Sequence, residues 1–400
     1  MFQPLSGLRV IDLTQILAGP YSTYQLALMG ADVIKVEAPG EGDASRIGMG
    51  DPMLGGDKMG LAYITQGSNK RSITIDLKTR EGLALMKRLI ATADIFVQNI
   101  RPGAAGRLGL AFDDVKQVKP GIVYCSISAY GQDGPIGDRP AYDHVVQGMS
   151  GITMTTGTPD TVPNKVGAPY VDYATGLNAA FAIVSGLHES RRTGEAIELD
   201  VAMLDTSMLL MSSMMTSYMT TGNVPGPTGN EAQSRSPSSG AFETTDGVLM
   251  IAANNERQHK QLCTAIERPE LLTDPRWTEI STRKNNVESL RLEISNAIKT
   301  KSADDWEAIL NDAKVPAARV RDFAEVMGEG QLKARGITMP MALPGRDITV
   351  HVPTLGFKVN GDVVAPNAPP PELGRDTESI LEELGCSAED VAALQNAGAI

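Results

Sequence analysis

The sequence predicts an α/β protein whose larger part is a mostly parallel β-sheet covered by helices. Short β-rich runs recur at residues 8–13, 32–36, 72–77, 95–99 and 122–128, and helix-period segments alternate with them. The chain also contains 40 glycines and 24 prolines, enough for many tight turns between elements. Strands that alternate with helices form parallel sheets whose ligand sites lie at the carboxyl ends of the strands.

The first elements form a predicted βαβ unit. The strand over 8–13 is followed by Ala18-Gly19-Pro20, a helical stretch that reaches Met29, and the strand over 32–36. After the third strand, acidic residues open a helix over 79–93. This order is typical of a doubly wound sheet.

The middle of the chain is apolar and rich in methionine. Helices are predicted over 173–190 and 203–219, on either side of a strand over 196–202. Such stretches belong to a core or a subunit interface more often than to a ligand site. Residues 221–240 are rich in Gly, Pro, Ser and Asn, which is typical of a linker or a mobile loop.

A smaller α+β domain is predicted beyond this loop. Asp246-Gly247 separates two β runs and indicates a hairpin, and a further short strand is predicted over 316–320. The tail returns to strand over 348–352 and ends in two helices, the last opened by Ser387. The predicted organisation is a large domain over 1–200, a linker helix and loop over 201–224, a small domain over 225–330, and a return linker with the rest of the large domain over 331–400.

Composition and charge exclude several functions. The formal net charge of −12 and a sequence pI near 4.9 argue against a protein that binds nucleic acid or an anionic membrane surface. The best apolar run, residues 177–187, falls short of the roughly 20 residues of a membrane span. The first residues contain no basic region followed by an apolar stretch, so we expect a cytoplasmic protein.

Metal and nucleotide motifs are missing from the sequence. Cys125, Cys263 and Cys386 lie far apart, and the four histidines do not cluster at ligand spacing, which makes a disulfide framework and a zinc site improbable. The sequence contains no P-loop, GxGxxG, HExxH or GxSxG motif. We therefore predict no metal site and no permanently bound cofactor.

Two basic segments and one aspartate are candidates for a functional site. Residues 69–78 and 99–107 concentrate positive charge at predicted strand ends, which suits phosphate groups of an anionic ligand, although a solvated rim is the alternative. Asp172 precedes a predicted helix, where an aspartate ordinarily caps the helix and has a lowered pKa. A nucleophilic role is compatible with that position.

The ordered motifs resemble those of the class III CoA-transferases, which include formyl-CoA transferase, carnitine CoA-transferase and the 2-methylacyl-CoA racemases. The resemblance covers nearly the whole chain, and its specificity comes from the order and spacing of motifs that are individually weak. The matching segments are 5–14 (LSGLRVIDLT), 18–20 (AGP), 30–37 (GADVIKVE) with Gly42-Asp43, 69–73 (NKRSI), 99–103 (NIRPG), Tyr142-Asp143 with Gln147 and Ser150-Gly151, Asp172 with Gly176, and 371–374 (PELG).

The resemblance implies a fold and a ligand. The expected fold is a Rossmann-like large domain built from both chain ends, a smaller α+β domain between them, and two subunits interlocked as a homodimer. Coenzyme A, delivered as acyl-CoA, is the implied substrate. The positions that match CoA-contacting residues of the family are Gln15, Ile16, Leu17, Ala18, Ile75, Lys78, Asn99, Ile100, Arg101 and Arg107, with Tyr142 and Asp143 beside them.

The resemblance also implies the catalytic residue. Asp172 matches the family's nucleophile, whose carboxylate attacks the donor thioester to give a mixed anhydride and then an aspartyl-CoA thioester. The acceptor carboxylate reverses these steps. The chemistry requires an ionised, dry carboxylate and donors for the tetrahedral oxyanion.

Departures from individual family members bear on the substrate. Tyr142 stands where the racemases have their catalytic histidine, with His144 two residues out of register. Formyl-CoA transferase has glutamine, tryptophan and arginine at the positions of Leu17, Gly48 and Ala38, and a glycine run where this chain has residues 234–240. These departures argue against racemisation, which needs an acid and a base on opposite faces of the α-carbon, and against an oxalate and formate substrate pair.

The sequence therefore predicts an acyl-CoA:carboxylate CoA-transferase that uses small dicarboxylates such as succinate, mesaconate, malate or itaconate. Arg46, Arg101 and Arg139 are candidates to hold a free carboxylate, with surface salt bridges as the alternative. Asp143 is expected either to place a second carboxylate near the nucleophile or to begin a helix. The alternative functions are a 2-methylacyl-CoA racemase or epimerase and a non-catalytic CoA-binding protein.

Overall fold

The computed structural model describes residues 2–47, 54, 56–232 and 236–400. The chain divides into two compact units. The first unit comprises residues up to Gly151, Lys165–Gly222 and Gly330–Ile400, and the second comprises Ile152–Asn164 and Asn223–Glu329.

Strands and helices alternate through the first half of the chain. The strands are β1 (Arg9–Leu13), β2 (Asp32–Glu37), β3 (Lys70–Thr74), β4 (Ile95–Gln98), β5 (Val123–Ser128), β6 (Ile197–Ala202), β7 (Ser239–Glu243), β8 (Val248–Ala252), β9 (Ala317–Arg319), β10 (Thr338–Ala342), β11 (Thr349–Pro353), β12 (Lys358–Val359) and β13 (Asp362–Val363). The α-helices are α1 (Ala18–Leu28), α2 (Leu61–Gly67), α3 (Arg80–Ala91), α4 (Ala104–Arg107), α5 (Phe112–Val118), α6 (Asp143–Ser150), α7 (Ile152–Thr155), α8 (Tyr170–Thr193), α9 (Met203–Leu210), α10 (Ser212–Thr221), α11 (Glu256–Ala265), α12 (Ile280–Asn285), α13 (Val287–Ile298), α14 (Ala303–Asp312), α15 (Phe323–Gly328), α16 (Gly330–Arg335), α17 (Thr377–Glu383) and α18 (Ala388–Asn396).

The first unit contains a six-stranded parallel sheet in the order β3-β2-β1-β4-β5-β6. The predicted α/β fold with a parallel sheet is thereby confirmed. The strand order reverses at β1, so that β2 and β4 flank it on opposite sides. Ligands of open α/β sheets bind at such a switch point.

Both faces of the sheet are buried. Val10 and Ile11 are adjacent on β1 and fully buried in different hydrophobic clusters, because successive side chains of a strand point to opposite faces. One cluster includes side chains of α1 and α8, and the other includes side chains of α3 and α17. The C-terminal helices therefore complete the core of the first unit, and Ser387 caps the last of them as predicted.

Two predicted elements differ from the structure. Strand β3 begins at Lys70 rather than at residue 72, because Lys70 pairs with Val33 of β2 and its ammonium group is buried against Asp12. The helix predicted over 203–219 is two helices that meet at Met211. Ser212 Oγ donates to the Leu209 carbonyl there at 2.5 Å, and such side-chain bonds compete with the helical ladder.

The second unit is built around a three-stranded antiparallel sheet. Strands β7 and β8 form the hairpin predicted from Asp246-Gly247, and β9 pairs with β8. Trp306 and Leu249 are buried in its core. Residues 152–164, which the sequence analysis assigns to the large domain, lie in this unit, where the Gly229 amide donates to the Gly157 carbonyl at 2.7 Å.

Candidate active site

A cavity of about 530 Å³ in the first unit opens at the carboxyl ends of β1, β4 and β5. Most of the residues predicted to contact CoA line it together with the predicted nucleophile. The lining residues with a predicted role are Gln15, Ile16, Leu17, Ala18, Asn99, Ile100, Arg101, Tyr142 and Asp172. Residues from distant parts of the sequence meet here because parallel strands end at one edge of the sheet.

Asp172 lies in the first turn of α8, after Pro169 at the helix N-cap. Its side chain is half-buried, and burial together with the nearby Asp143 carboxylate raises its pKa to about 7. The position of Asp172 in the sequence predicts a pKa lowered by the helix dipole. That expectation is wrong, because desolvation and a like charge both disfavour the ionised form.

Asp143, rather than Asp172, caps helix α8. Its Oδ2 accepts hydrogen bonds from the backbone N–H groups of Val171 at 2.9 Å and Asp172 at 3.2 Å. The N-cap position of α8 is occupied by Pro169, and the first backbone N–H groups of the helix donate to Asp143 rather than to Asp172, so the predicted capping role of Asp172 is also wrong. Both alternatives for Asp143 hold, since it is the first residue of α6 and places a carboxylate near Asp172.

A fully buried glutamine orients Asp143. Gln147 lies one turn later on α6, and its Nε2 donates to Asp143 Oδ1 at 2.6 Å. Its Oε1 accepts from the Val166 N–H at 2.8 Å, which ties the segment before α8 to α6. Both carboxylate oxygens of Asp143 are therefore occupied, and the start of α8 is held in place.

Helices α1 and α8 approach closely beside the cavity. A Cβ atom added to Gly176 would lie 2.8 Å from the Ala18 carbonyl oxygen, so only glycine fits there without a shift of the backbone. One turn earlier, the rings of Tyr21 and Tyr173 pack edge to face with centroids 4.8 Å apart. This packing places Asp172 next to the amino end of α1.

The loops after β1 and β4 are joined by one side chain. Asn99 Oδ1 accepts from the Gln15 N–H at 2.9 Å, and its Nδ2 donates to the Gln15 carbonyl at 2.8 Å. Gln98 Oε1 accepts from the Ile100 N–H at 2.7 Å. The backbone that lines the cavity is thus held by side chains of β4 and its loop.

Four of the residues predicted to contact CoA lie away from the cavity wall, and one of them is Asp143, whose carboxylate caps α8. The Ile75 side chain is 2% exposed and lies in the core on one face of the sheet. Lys78, in the turn after β3, and Arg107, the last residue of α4, are exposed and do not line the cavity. Ile75, Lys78 and Arg107 were predicted to contact CoA because they match family positions. Whether each is accessible to a ligand depends instead on the packing of α3 and α4.

The first basic segment is mostly structural. Lys70 and Arg71 lie at the amino end of β3, not at its carboxyl end. Lys70 Nζ pairs with buried Asp12 at 3.0 Å, and Arg71 pairs with Asp32 and Glu383 at the sheet edge. The expectation that this segment binds phosphate is therefore wrong for these two cations.

The three arginines proposed to hold a carboxylate differ in environment. Arg46 is fully buried and forms a bidentate pair with Glu37, at 2.6 Å from Nε and 2.7 Å from Nη2, so it is not free to hold a substrate. Arg101 and Arg139 are exposed and line the cavity. In the part of the chain that the structure describes, neither of these two forms a salt bridge.

Some lining residues were not singled out from the sequence. These are Leu13, Leu77, Pro102, Ile127, Ser128, Ala129, Pro140, Ala141 and Met203. Ser128 is the last residue of β5 and Ala129 follows it, and the predicted strand end at residue 128 was the one signal that could have found them. Gly48 and residues 234–235, which entered the substrate argument, lie outside the described residues.

No group of three or more His, Cys, Asp or Glu side chains within the described residues is placed to hold a metal ion. Among the helices of the described residues, none combines the length and the apolar character required to cross a membrane. The charged side chains that line the cavity are Asp172, Arg101 and Arg139.

Comparison with known proteins identifies similar chains. The family model for CoA-transferase family III matches residues 5–377. The chain is 33% identical over 384 residues to human succinyl-CoA:glutarate CoA-transferase, covering 96% of this chain and 86% of that one. It is 34% identical to succinate–glutarate CoA-transferase of Agrobacterium fabrum over 95% of this chain and 96% of that one. A crystal structure of a CaiB/BaiF family protein from Brucella suis superposes with a TM-score of 0.81, at 32% identity over 96% of this chain and all of the other.

Proposed function

Because the chain belongs to CoA-transferase family III and is a CoA-transferase, we propose that it moves CoA between small dicarboxylic acids, with Asp172 as the covalent nucleophile. The observation that carries this proposal is the position of Asp172. It is half-buried in the wall of a cavity that residues matching the family's CoA-contacting positions also line.

The relatives support dicarboxylates as the substrate class. Similar chains are named for transfer of CoA from succinyl-CoA to glutarate and, in Haloarcula hispanica, to mesaconate. A dicarboxylate that carries CoA at one end keeps a free carboxylate at the other. Arg101 and Arg139, exposed at the cavity wall, supply cations for that carboxylate or for the phosphates of CoA.

The first half-reaction forms an enzyme-bound thioester. An Asp172 carboxylate oxygen attacks the thioester carbon of the donor acyl-CoA, the C–S bond breaks, and CoA leaves as a thiolate. The thiolate then attacks the aspartyl carbon of the mixed anhydride, releasing the donor acid as its carboxylate. Asp172 now carries CoA as a thioester, and no proton or electron has been exchanged with solvent.

The second half-reaction reverses these steps with the acceptor. The acceptor carboxylate attacks the Asp172 thioester carbon and releases the CoA thiolate, which then attacks the acceptor acyl carbon. The products are the new acyl-CoA and the free Asp172 carboxylate. Water must be kept from both intermediates, because hydrolysis would lose the thioester energy.

Asp143 supports this chemistry through its effect on the pKa of Asp172. Its carboxylate raises the pKa of Asp172, which makes the ionised form of Asp172 a stronger nucleophile while reducing the ionised fraction at neutral pH. It also occupies the Val171 and Asp172 amides. The amino end of α1 borders the same cavity, and its dipole favours the negative charge of the thiolate and the oxyanion.

We propose a homodimer in which the second copy covers α8 and α10. Leu177, Phe181 and Val184 form an apolar stripe on α8 and are 51%, 72% and 37% exposed. Tyr218 and Met219 on α10 are also exposed. Their spacing of three to four residues places the α8 stripe on one helix face, and exposed patches of this kind mark interfaces. The interlocked arrangement and the cytoplasmic location stay predictions.

Intact-mass spectrometry tests the proposed function. The protein is incubated with succinyl-CoA, with and without hydroxylamine, and then peptide-mapped. We expect a CoA or acyl adduct on the Asp172 peptide, absent in D172A and present in D205N, which removes a first-turn aspartate from α9, outside the cavity wall. An unmodified peptide in a protein that exchanges the α-proton of a 2-methylacyl-CoA with deuterated water would overturn the proposal and favour a racemase.

A further inference from the structure

The turn between β1 and α1 contains a residue in an unusual conformation. Ile16 has φ = +73°, in the left-handed region. Six non-glycine residues among those described have positive φ, and Ile16 is the one that is β-branched. A β-branched residue is a genuine outlier there and persists only where its surroundings over-determine it. Ile16 lines the cavity that contains Asp172.

Two buried side chains hold the Ile16 backbone. Asp43 Oδ1 accepts from the Ile16 N–H at 3.0 Å. Gln66 Nε2 donates to the Ile16 carbonyl oxygen at 2.5 Å. Asp43 and Gln66 are each 1% exposed, so water does not compete for these bonds. Both peptide groups of the residue are therefore bonded to side chains of distant segments.

A buried lysine connects Asp43 to the residue that starts the turn. Lys35 Nζ pairs with Asp43 Oδ2 at 2.8 Å and donates to the Thr14 carbonyl oxygen, also at 2.8 Å. The N–H of Thr14 in turn donates to Asp12 Oδ1 at 3.0 Å. The backbone N–H and C=O groups of both Thr14 and Ile16 are thus bonded to buried side chains.

A contribution to folding stability does not account for the buried Lys35–Asp43 pair. Burying an ion pair costs desolvation that the attraction often fails to exceed, and apolar replacements are frequently neutral or stabilising. The pair and Gln66 instead stabilise the strained turn at Ile16, and they thereby fix the position of backbone atoms that line the cavity. The desolvation penalty on Asp43 is offset by Lys35 and by two backbone N–H donors, and its pKa is held down at about 2.

We propose that Asp43, with Lys35 and Gln66, is a positioning group for CoA transfer. It holds Ile16 in the left-handed conformation, so that residues 15–18 keep their place against Asp172 and the bound CoA. The inference rests on the proposed function of the cavity. None of these three side chains lines the cavity, so they act through the turn and not on the substrate.

The test is a double-mutant cycle between Asp43 and Ile16. D43N keeps the shape of the side chain but removes the charge that Lys35 pairs with. Glycine adopts positive φ at little cost, so I16G removes the strain that Asp43 opposes. We expect D43N alone to lower kcat and CoA affinity by about 10- to 100-fold. In the I16G background, the same substitution should cost less than about threefold.

Q66M and E37Q complete the design. Q66M removes the donor to the Ile16 carbonyl without leaving a buried charge unpaired, so it tests the turn if D43N does not fold. E37Q weakens the buried Glu37–Arg46 pair. The glutamine keeps an amide oxygen for the Asp43 N–H, which Glu37 Oε1 accepts at 3.0 Å, and Asp43 stays in place as the acceptor of the Ile16 amide. We expect E37Q to lower the melting temperature while kcat stays near the wild-type value.

Two readouts separate this inference from the proposed function. Turnover is measured with succinyl-CoA and glutarate, and CoA binding is measured by calorimetry with CoA alone. If wild-type protein binds CoA but forms no Asp172 adduct, the proposed function fails. The double-mutant cycle can then still be evaluated from the CoA affinities of the four proteins. Equal losses from D43N in both backgrounds, or an E37Q loss of kcat as large as that of D43N, would overturn the positioning role.

Discussion

The Asp143 carboxylate lies at the first turn of the helix that carries Asp172, and its Oδ2 accepts the Asp172 N–H at 3.2 Å. Asp143 therefore caps the helix that carries Asp172, and its carboxylate disfavours a negative charge on Asp172. Burial, together with the neighbouring Asp143 carboxylate, raises the pKa of Asp172 to about 7. A carboxyl group whose pKa is strongly raised by burial and by a second carboxylate is typical of a catalytic site.

This pair predicts the pH dependence of turnover. Only ionised Asp172 attacks a thioester, so kcat/KM should rise with pH along a limb whose apparent pKa is near 7. In D143N the neighbouring negative charge is gone, the pKa of Asp172 falls, and the limb should move to lower pH. Initial rates over about pH 5 to 9 measure both profiles. Superimposable limbs for the two proteins would contradict this assignment.

The same raised pKa predicts that Asp172 destabilises the fold at high pH. Between its unfolded value of 3.8 and its folded value of about 7, the folded protein binds the extra proton, so stability falls as pH rises through this range. D172N should therefore be more stable than wild type at pH 8, by about 1 to 3 kcal/mol. The difference should vanish below the unfolded pKa. Urea denaturation at several pH values measures it, and a pH-independent difference would refute the linkage.

The close packing of α1 against α8 at Gly176 predicts that a larger side chain there disturbs the site. In G176A the new methyl group would meet the Ala18 carbonyl at 2.8 Å, which forces α1 away from α8. We expect a loss of about 1 to 3 kcal/mol in unfolding free energy together with lower kcat. G148A on α6 is the matched control, because a Cβ there meets no atom of the described residues within 4 Å. It should be neutral or slightly stabilising, and thermal melts compare the two.

The arginines should separate into structural and ligand-binding roles. R46M leaves buried Glu37 without its bidentate partner and should cost about 3 to 5 kcal/mol in stability. R139Q removes an exposed cation at the cavity wall. It should change stability by less than about 0.5 kcal/mol while raising the KM for acyl-CoA or for the acceptor. Steady-state kinetics and denaturation of both variants test this difference. Unchanged KM values in R139Q would exclude Arg139 as a substrate contact.

The apolar stripe on α8 predicts the oligomeric state. Phe181 is 72% exposed in the single chain, and F181D would place a charge in the proposed subunit interface, where an unpaired charge is costly. Light scattering after gel filtration should show a dimer for wild type and a shift toward monomer for F181D. F323D is the control, since Phe323 is 81% exposed and lies in the second unit. A monomeric wild-type protein would contradict the proposal.

The fold was largely predictable because its signals are local. The β-rich runs of β1, β2, β4 and β5 mark strands through their own composition, and Asp246-Gly247 specifies a hairpin through the backbone freedom of its own residues. The start of β3 was misplaced because a buried lysine opens it. Its partner, Asp12, is 58 positions away, and no local pattern reports such a pairing.

The candidate site was predictable only in part. A family resemblance pointed to Asp172, Asn99 and the turn at residues 15–18, and the parallel sheet brings these residues to one cavity. The same resemblance pointed to Ile75, whose side chain lies in the core. Motif matching reports chain position, whereas access to a ligand depends on which helices cover that position.

What the sequence by itself determined is the order of elements, the parallel α/β architecture and the identity of the candidate nucleophile. Tertiary structure alone decided which aspartate caps α8, in which direction the Asp172 pKa moves, and that Arg46 is committed to Glu37. Secondary structure follows from the preferences of near neighbours along the chain. The charge state and the partners of a side chain instead depend on burial and on groups brought together by folding, such as Asp143 and Asp172, which lie 29 positions apart.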